Sequence, residues 1–131
     1  AWLNWCEHLR EHLNRELYLG LFSFESHFAH YSEGDFYKRH LDAFRPVNSG
    51  SSIPAGKPRR KLSLTTYFND NWQVDDGGEL VIYPTATSEI ELEKVAPENG
   101  TLCIFLSEEF PHEVLPATRD RYSIAGWFRT A

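Results

Sequence analysis

From Gly20 onward the chain is cut into short runs by glycine, proline, asparagine and aspartate, and within several runs apolar and polar residues alternate. Alternation with period two gives a strand one face for a core and another for solvent or a cavity. The expected extended segments are two within 17–31, then 36–44, 61–69, 79–83, 89–95, 101–106, 113–115 and 122–129. In 61–69, Leu62, Leu64 and Thr66 alternate with Ser63, Thr65 and Tyr67. The acidic and apolar alternation of 89–95 suits an edge strand. The nearly continuous apolar run of 101–106 suits a central one. Strands this short, with turn residues between them, build a β-sandwich, jelly roll or barrel. Ahead of them, AWLNWCEHLREHLNR spaces Trp2, Trp5, Cys6, Leu9 and Leu13 as a helical stripe, so 1–15 reads as an amphipathic helix supporting something larger.

At 131 residues the chain is one ordinary domain, here 1–131. Hydrophobic residues make 41% and charged residues 24%, which excludes a disordered or collagen-like chain. The net charge of -6 argues against nucleic acid and anionic membrane as partners. No apolar run is long enough for a membrane span, and no signal-peptide pattern opens the chain. Cys6 and Cys103 make no disulfide framework, so a reducing, cytoplasmic setting is expected. Methionine is absent even at position 1, which points to an N-terminally trimmed core. The segment 45–60, RPVNSGSSIPAGKPRR, reads as a long mobile loop near a functional entrance or as a tolerated surface insertion.

Six histidines raise a metal hypothesis. In a strand, His40 and Asp42 would project to one face. His112, in FPHEV, would complete a two-histidine, one-carboxylate set if it faced them. Such a set leaves sites open on an octahedral cation and suits non-haem Fe(II); tetrahedral zinc is the rival. Arg121 opens the last expected strand. Pairing of that strand beside the one carrying His112 would point Arg121 into the same cavity, where a buried guanidinium needs an anion such as a dicarboxylate. Asp120 faces the other way. His8 and His12 read as a solvated helix face, His27 and His30 as structural, Cys103 as core, and Glu108-Glu109 as a solvated turn.

Taken in order, YKRHLDAF, LTTYFNDNW, GGELVIYP and GTLCIFLSEEFPHEVLPATRDRYSIAGWF resemble the catalytic core of 2-oxoglutarate- and Fe(II)-dependent dioxygenases. The resemblance runs over 31–129 and is nearest to prolyl hydroxylases of the hypoxia-sensing type and their bacterial relatives. It implies a double-stranded β-helix, a jelly-roll form, with the N-terminal helix packed on the major sheet. It implies His40, Asp42 and His112 as Fe(II) ligands, and Arg121 and Tyr67 as partners of the far carboxylate of 2-oxoglutarate. Tyr31 would reach the ketoacid end near the metal, while Arg60 and Trp127 would line the substrate entrance. The implied reaction hydroxylates an unactivated carbon with O2 and releases succinate and CO2, with ascorbate as a candidate auxiliary reductant. Phe44, Phe105 and Trp127 would help keep the cavity dry. The segment between Asp42 and Tyr67 is longer than in those enzymes, and Ala125 stands where they carry a polar residue.

The substrate expected on this resemblance is a prolyl residue of a protein or peptide. A free amino acid or another small molecule is the alternative. Two further readings are a non-catalytic metal- or ligand-binding jelly roll and a zinc-dependent hydrolase. Neither needs a dicarboxylate clamp.

Overall fold

The computed structural model describes residues 1–43 and 59–131. The apolar stripe forms α1 over Trp2–Leu17, with Cys6 fully buried beneath it. His8 and His12 lie on its exposed side. The helix ends where Tyr18 takes a left-handed conformation (φ 52°) and returns its N–H to Asn14 O. Asn14 then both donates to and accepts from the Leu21 backbone at 2.7 Å, and Arg10 donates to Leu21 O at 2.8 Å. These bonds clamp the start of β1, Leu21–Tyr31, onto the helix. The segment expected as two extended pieces is therefore a helix end followed by one strand.

The remaining strands are β2 (Tyr37–His40), β3 (Arg59–Tyr67), β4 (Leu80–Ile82), β5 (Glu93–Val95), β6 (Leu102–Leu106), β7 (His112–Val114) and β8 (Arg121–Thr130), with one 3-10 turn at Val74–Asp76. They form two four-stranded antiparallel sheets, a major one ordered β1-β8-β3-β6 and a minor one ordered β2-β7-β4-β5. Facing each other, they make a double-stranded β-helix.

The two faces of β3 divide the interior. Leu62 and Leu64 point outward and join Phe128, Leu21 and Cys6 in a buried cluster, with Trp2, Leu9, Leu13 and Phe24 packed against it. This is how α1 is attached to the major sheet. Ser63, Thr65 and Tyr67 point inward. No helix among the described residues is long and apolar enough to cross a membrane.

Two expectations change. The run at 101–106 is an edge strand, not a central one: among the described residues β6 pairs only with β3, and Leu102 and Ile104 are 41% and 37% exposed. Its continuous apolar character reflects two apolar faces and says nothing about the number of hydrogen-bonded neighbours. Of its outward residues, Leu106 reaches the cluster under the helix. At 89–95 only Glu93–Val95 is strand, because Ser88 Oγ bonds both the carbonyl and the N–H of Ile90 and closes a local turn. The 45–60 loop lies outside the described residues up to position 58; Arg59 and Arg60 already belong to β3.

Gly126 in β8 marks a close approach. A Cβ there would lie 2.5 Å from Phe24 Cζ and 3.1 Å from Glu25 O. Phe24 cannot swing freely, since its ring packs on Phe128 at 4.6 Å. Gly126→Ala should cost about 1–3 kcal/mol in urea unfolding followed by tryptophan fluorescence, and Phe24→Leu in the same chain should restore part of it.

Candidate metal centre and active-site cavity

Between the sheets lies a cavity of about 420 Å³, in the range of small-molecule sites. Its walls include His40, Asp42 and His112 at one region and Tyr67 and Arg121 at another. Polar residues face inward here because the apolar alternates of β3 and β8 are committed to the helix side.

His40 ends β2 and pairs across the minor sheet with His112, the first residue of β7. Asp42 lies two residues beyond the strand, in a bend, so the expected same-face strand geometry does not apply. The chain turns instead, and Asp42 Oδ1 comes to 3.3 Å from His40 Nε2 and 3.2 Å from His112 Nε2. The ligating atoms of all three lie within 4.8 Å of one another. Each imidazole is oriented by its other nitrogen: His40 Nδ1 bonds Lys38 O at 2.7 Å and His112 Nδ1 bonds Phe110 O at 3.0 Å. A carbonyl only accepts, so Nδ1 carries the proton and Nε2 offers its lone pair to the cluster. The Phe105 ring meets His112 edge-on at 4.7 Å. Burial pushes the Asp42 carboxyl up, but His112, His40 and Ser63 outweigh it and hold the group well below the ordinary carboxylate range. Burial opposes charge on His40, yet Asp42 and the Lys38 carbonyl raise it overall. Two imidazole nitrogens and one ionised oxygen suit a divalent first-row cation.

Arg121 is 3% exposed and starts β8 in the major sheet. It does not reach the cavity by the pairing beside β7 that the sequence suggests. It reaches it from the opposite sheet, across the interior from β7. Asp120 points outward to His30, 3.4 Å away. Arg121 Nε donates to Gly78 O at 2.8 Å. Among the described residues no acidic side chain pairs with the guanidinium, which lies 5.0 Å from the Tyr67 ring centre and 5.3 Å from that of Tyr31. The Tyr67 hydroxyl is buried and has no hydrogen-bond partner among the described residues. Burial raises the pKa of both phenols, only partly offset by Arg121, so both remain neutral donors. A buried cation beside an unpartnered hydroxyl is costly on its own and fits an anionic oxygen.

Trp127, Arg60 and His27 also line the cavity, with Glu25 beside Arg60. The Arg60 guanidinium stacks 3.8 Å over the Trp127 ring and reaches Glu25 at 3.5 Å. His27 also faces the cavity, its ring 5.4 Å from that of Trp127. The sequence suggests a structural role for His27; its even spacing from Tyr31 along one strand is the signal that points to the cavity instead. Phe44 lies outside the described residues. Glu108 pairs with Arg59. Cys6 and Cys103 are unpaired thiols.

A family model described as the 2OG-Fe(II) oxygenase superfamily matches residues 26–129. The chain belongs to this superfamily. It is similar to a Caenorhabditis elegans hypoxia-inducible factor prolyl hydroxylase, 33% identical over 98 residues, covering 72% of this chain and 12% of that protein. Among solved structures, a Pseudomonas putida prolyl-4-hydroxylase superposes with a TM-score of 0.83 at 45% identity, over 99% of this chain and 65% of that one. A Trichoplax adhaerens prolyl hydroxylase, solved in complex with a hypoxia-inducible factor oxygen degradation domain peptide fragment, gives a TM-score of 0.73 at 30% identity, over 94% and 52%. This chain thus spans about an eighth of the curated relative and under two-thirds of either solved one.

Within this oxygenase fold the Arg121 anchor depends on Gly78. Gly78 has φ +69°, and a Cβ would sit 3.0 Å from both Trp72 and Ala117 and 3.3 Å from Arg121 Cδ. Gly78→Ala should lower stability by about 1–2 kcal/mol through backbone strain, read as a lower unfolding midpoint in urea. Burial pushes both thiols up to about 11. At pH 8 both should react slowly with a thiol reagent in the native protein and rapidly in denaturant, followed by absorbance.

Proposed function

We propose that this chain is the catalytic core of a 2-oxoglutarate- and Fe(II)-dependent dioxygenase that hydroxylates a prolyl residue of a protein. The observation that carries this reading is one cavity holding both a two-histidine, one-carboxylate cluster and a buried guanidinium that has no acidic partner among the described residues. A zinc hydrolase or a non-catalytic jelly roll would use the first and have no need of the second. The names of the similar proteins favour prolyl hydroxylation within the oxygenase class. The free thiols fit the reducing cytoplasm expected for it.

In this reading His40 Nε2, His112 Nε2 and Asp42 Oδ1 hold Fe(II). Arg121 and Tyr67 take the far carboxylate of 2-oxoglutarate, the first as a two-donor fork and the second through its hydroxyl. Tyr31 closes the other side of that guanidinium and supplies a second phenol. Bound metal, cosubstrate and O2 supply oxidative decarboxylation to succinate and CO2 coupled to hydroxylation, and a reductant such as ascorbate would restore the metal after uncoupled turnover. The protein fixes ligand geometry, neutralises the cosubstrate tail and excludes water with Phe105 and Trp127. Arg60 and Trp127 at the mouth receive the peptide.

Arg121→Ala should weaken 2-oxoglutarate binding at least tenfold in calorimetry while metal uptake is kept; unchanged affinity would remove the clamp from the account. His112→Ala should abolish succinate production in the presence of Fe(II) and 2-oxoglutarate. Anaerobic addition of the two to the unaltered protein should give the weak visible charge-transfer band of the chelate. Proline-containing peptides should gain one oxygen by mass spectrometry. Gain on free amino acids alone would shift the substrate to a small molecule.

A further inference from the structure

Asp42 uses its two carboxylate oxygens differently. Oδ1 faces the two imidazole nitrogens. Oδ2 accepts from Ser63 Oγ at 2.5 Å and from Trp127 Nε1 at 3.0 Å. An ionised carboxylate only accepts, so the single hydroxyl proton of Ser63 is committed to it. Ser63 Oγ lies 2.9 Å from Ser107 Oγ and must therefore accept the Ser107 proton. The direction of the whole chain, Ser107 to Ser63 to Asp42, follows from that one constraint. Both serines are buried, Ser107 completely.

This network replaces what the backbone fails to provide. Asp42 stands beyond the end of β2, so no strand ladder fixes its side chain. Its neighbour Ala43 donates its N–H to Ser107 O at 3.3 Å, and Ser107 donates its own N–H to Lys61 O at 3.0 Å. Arg60 Nη1 donates to Asp42 O at 3.4 Å. The bend is thus tied to β3, and the carboxylate to β3 and β8.

We propose that Ser63 and Trp127, with Ser107 acting through Ser63, are positioning residues that hold Asp42 Oδ2 away from the cation, so that the carboxylate binds through Oδ1 alone. A carboxylate free to turn can chelate through both oxygens and take up one more coordination position. The network prevents this and keeps that position available to cosubstrate and oxygen. Trp127 consequently has two separable parts. Its ring is a wall of the cavity under Arg60, and its N–H is a hold on the metal ligand. The inference rests on the metal-centre reading above.

The test uses Co(II) alone as the probe, titrated into the metal-free chain and read by its visible absorption. Trp127→Phe keeps a ring under Arg60 and deletes the N–H; Ser63→Ala deletes the hydroxyl, and Ser63→Thr keeps it. The unaltered chain should bind Co(II) with a defined band. Trp127→Phe and Ser63→Ala should each change the intensity or position of that band and weaken binding about 10–100-fold, with Ser63→Thr close to the unaltered chain. A merely structural role would lower the unfolding midpoint and leave the band unchanged. Variants that bind Co(II) with the unaltered affinity and spectrum would overturn the positioning role while the metal centre stands. Failure of the unaltered chain to bind Co(II) would overturn the metal centre itself. Should Ser63→Ala not fold, the half-buried Trp127→Phe decides alone.

Discussion

Side-chain alternation along β3 and β8 separates two environments that cannot mix. Outward, Leu62, Leu64 and Phe128 pack under α1. Inward, Ser63, Thr65, Tyr67, Arg121 and Trp127 line the cavity. A register slip of one residue in β8 would turn the Arg121 guanidinium toward the helix side and Phe128 into the cavity, and the same slip in β3 would exchange Leu62 and Leu64 with Ser63 and Thr65. The apolar cluster therefore does more than stabilise the fold. By fixing register, it determines which polar groups meet inside.

The two sheets contribute unlike parts of the cavity. The minor sheet brings His40 and His112 opposite each other as cross-strand partners. The major sheet brings Arg121 and Tyr67 from neighbouring strands. Asp42 belongs to neither ladder and is held by side chains of the major sheet, so it links the halves. On the proposed reading, a cosubstrate bound between them would be gripped at its metal end from the minor sheet and at its far carboxylate from the major one. Such an arrangement separates cation recognition from anion recognition, and each can be altered with limited effect on the other.

The buried polar groups explain why the cavity calls for ligands. Arg121 Nε donates to Gly78 O, and among the described residues no acidic side chain pairs with the guanidinium and the Tyr67 hydroxyl has no hydrogen-bond partner. Burying a cation in this way normally costs stability unless an anion joins it. Gly78 permits the approach because its positive φ and missing Cβ let the carbonyl meet the guanidinium beside Trp72.

From sequence alone, the helical stripe of α1, the strand-rich remainder and the jelly-roll class were legible, because period 3.6 and period two are local properties. The identity of His40, Asp42, His112 and Arg121 as chemically loaded residues was also legible, from residue type and from the resemblance of four ordered segments. Their convergence was not. Asp42 meets the histidines through a bend outside the strand, and Arg121 arrives from the opposite sheet. Both depend on contacts between residues far apart in the chain. The edge position of β6 escaped for the same reason, since apolarity reports burial of side chains and not how many strands flank the backbone. The Ser107–Ser63–Asp42 chain carries no local signal at all: serines 44 positions apart become neighbours only when β3 and β6 pair.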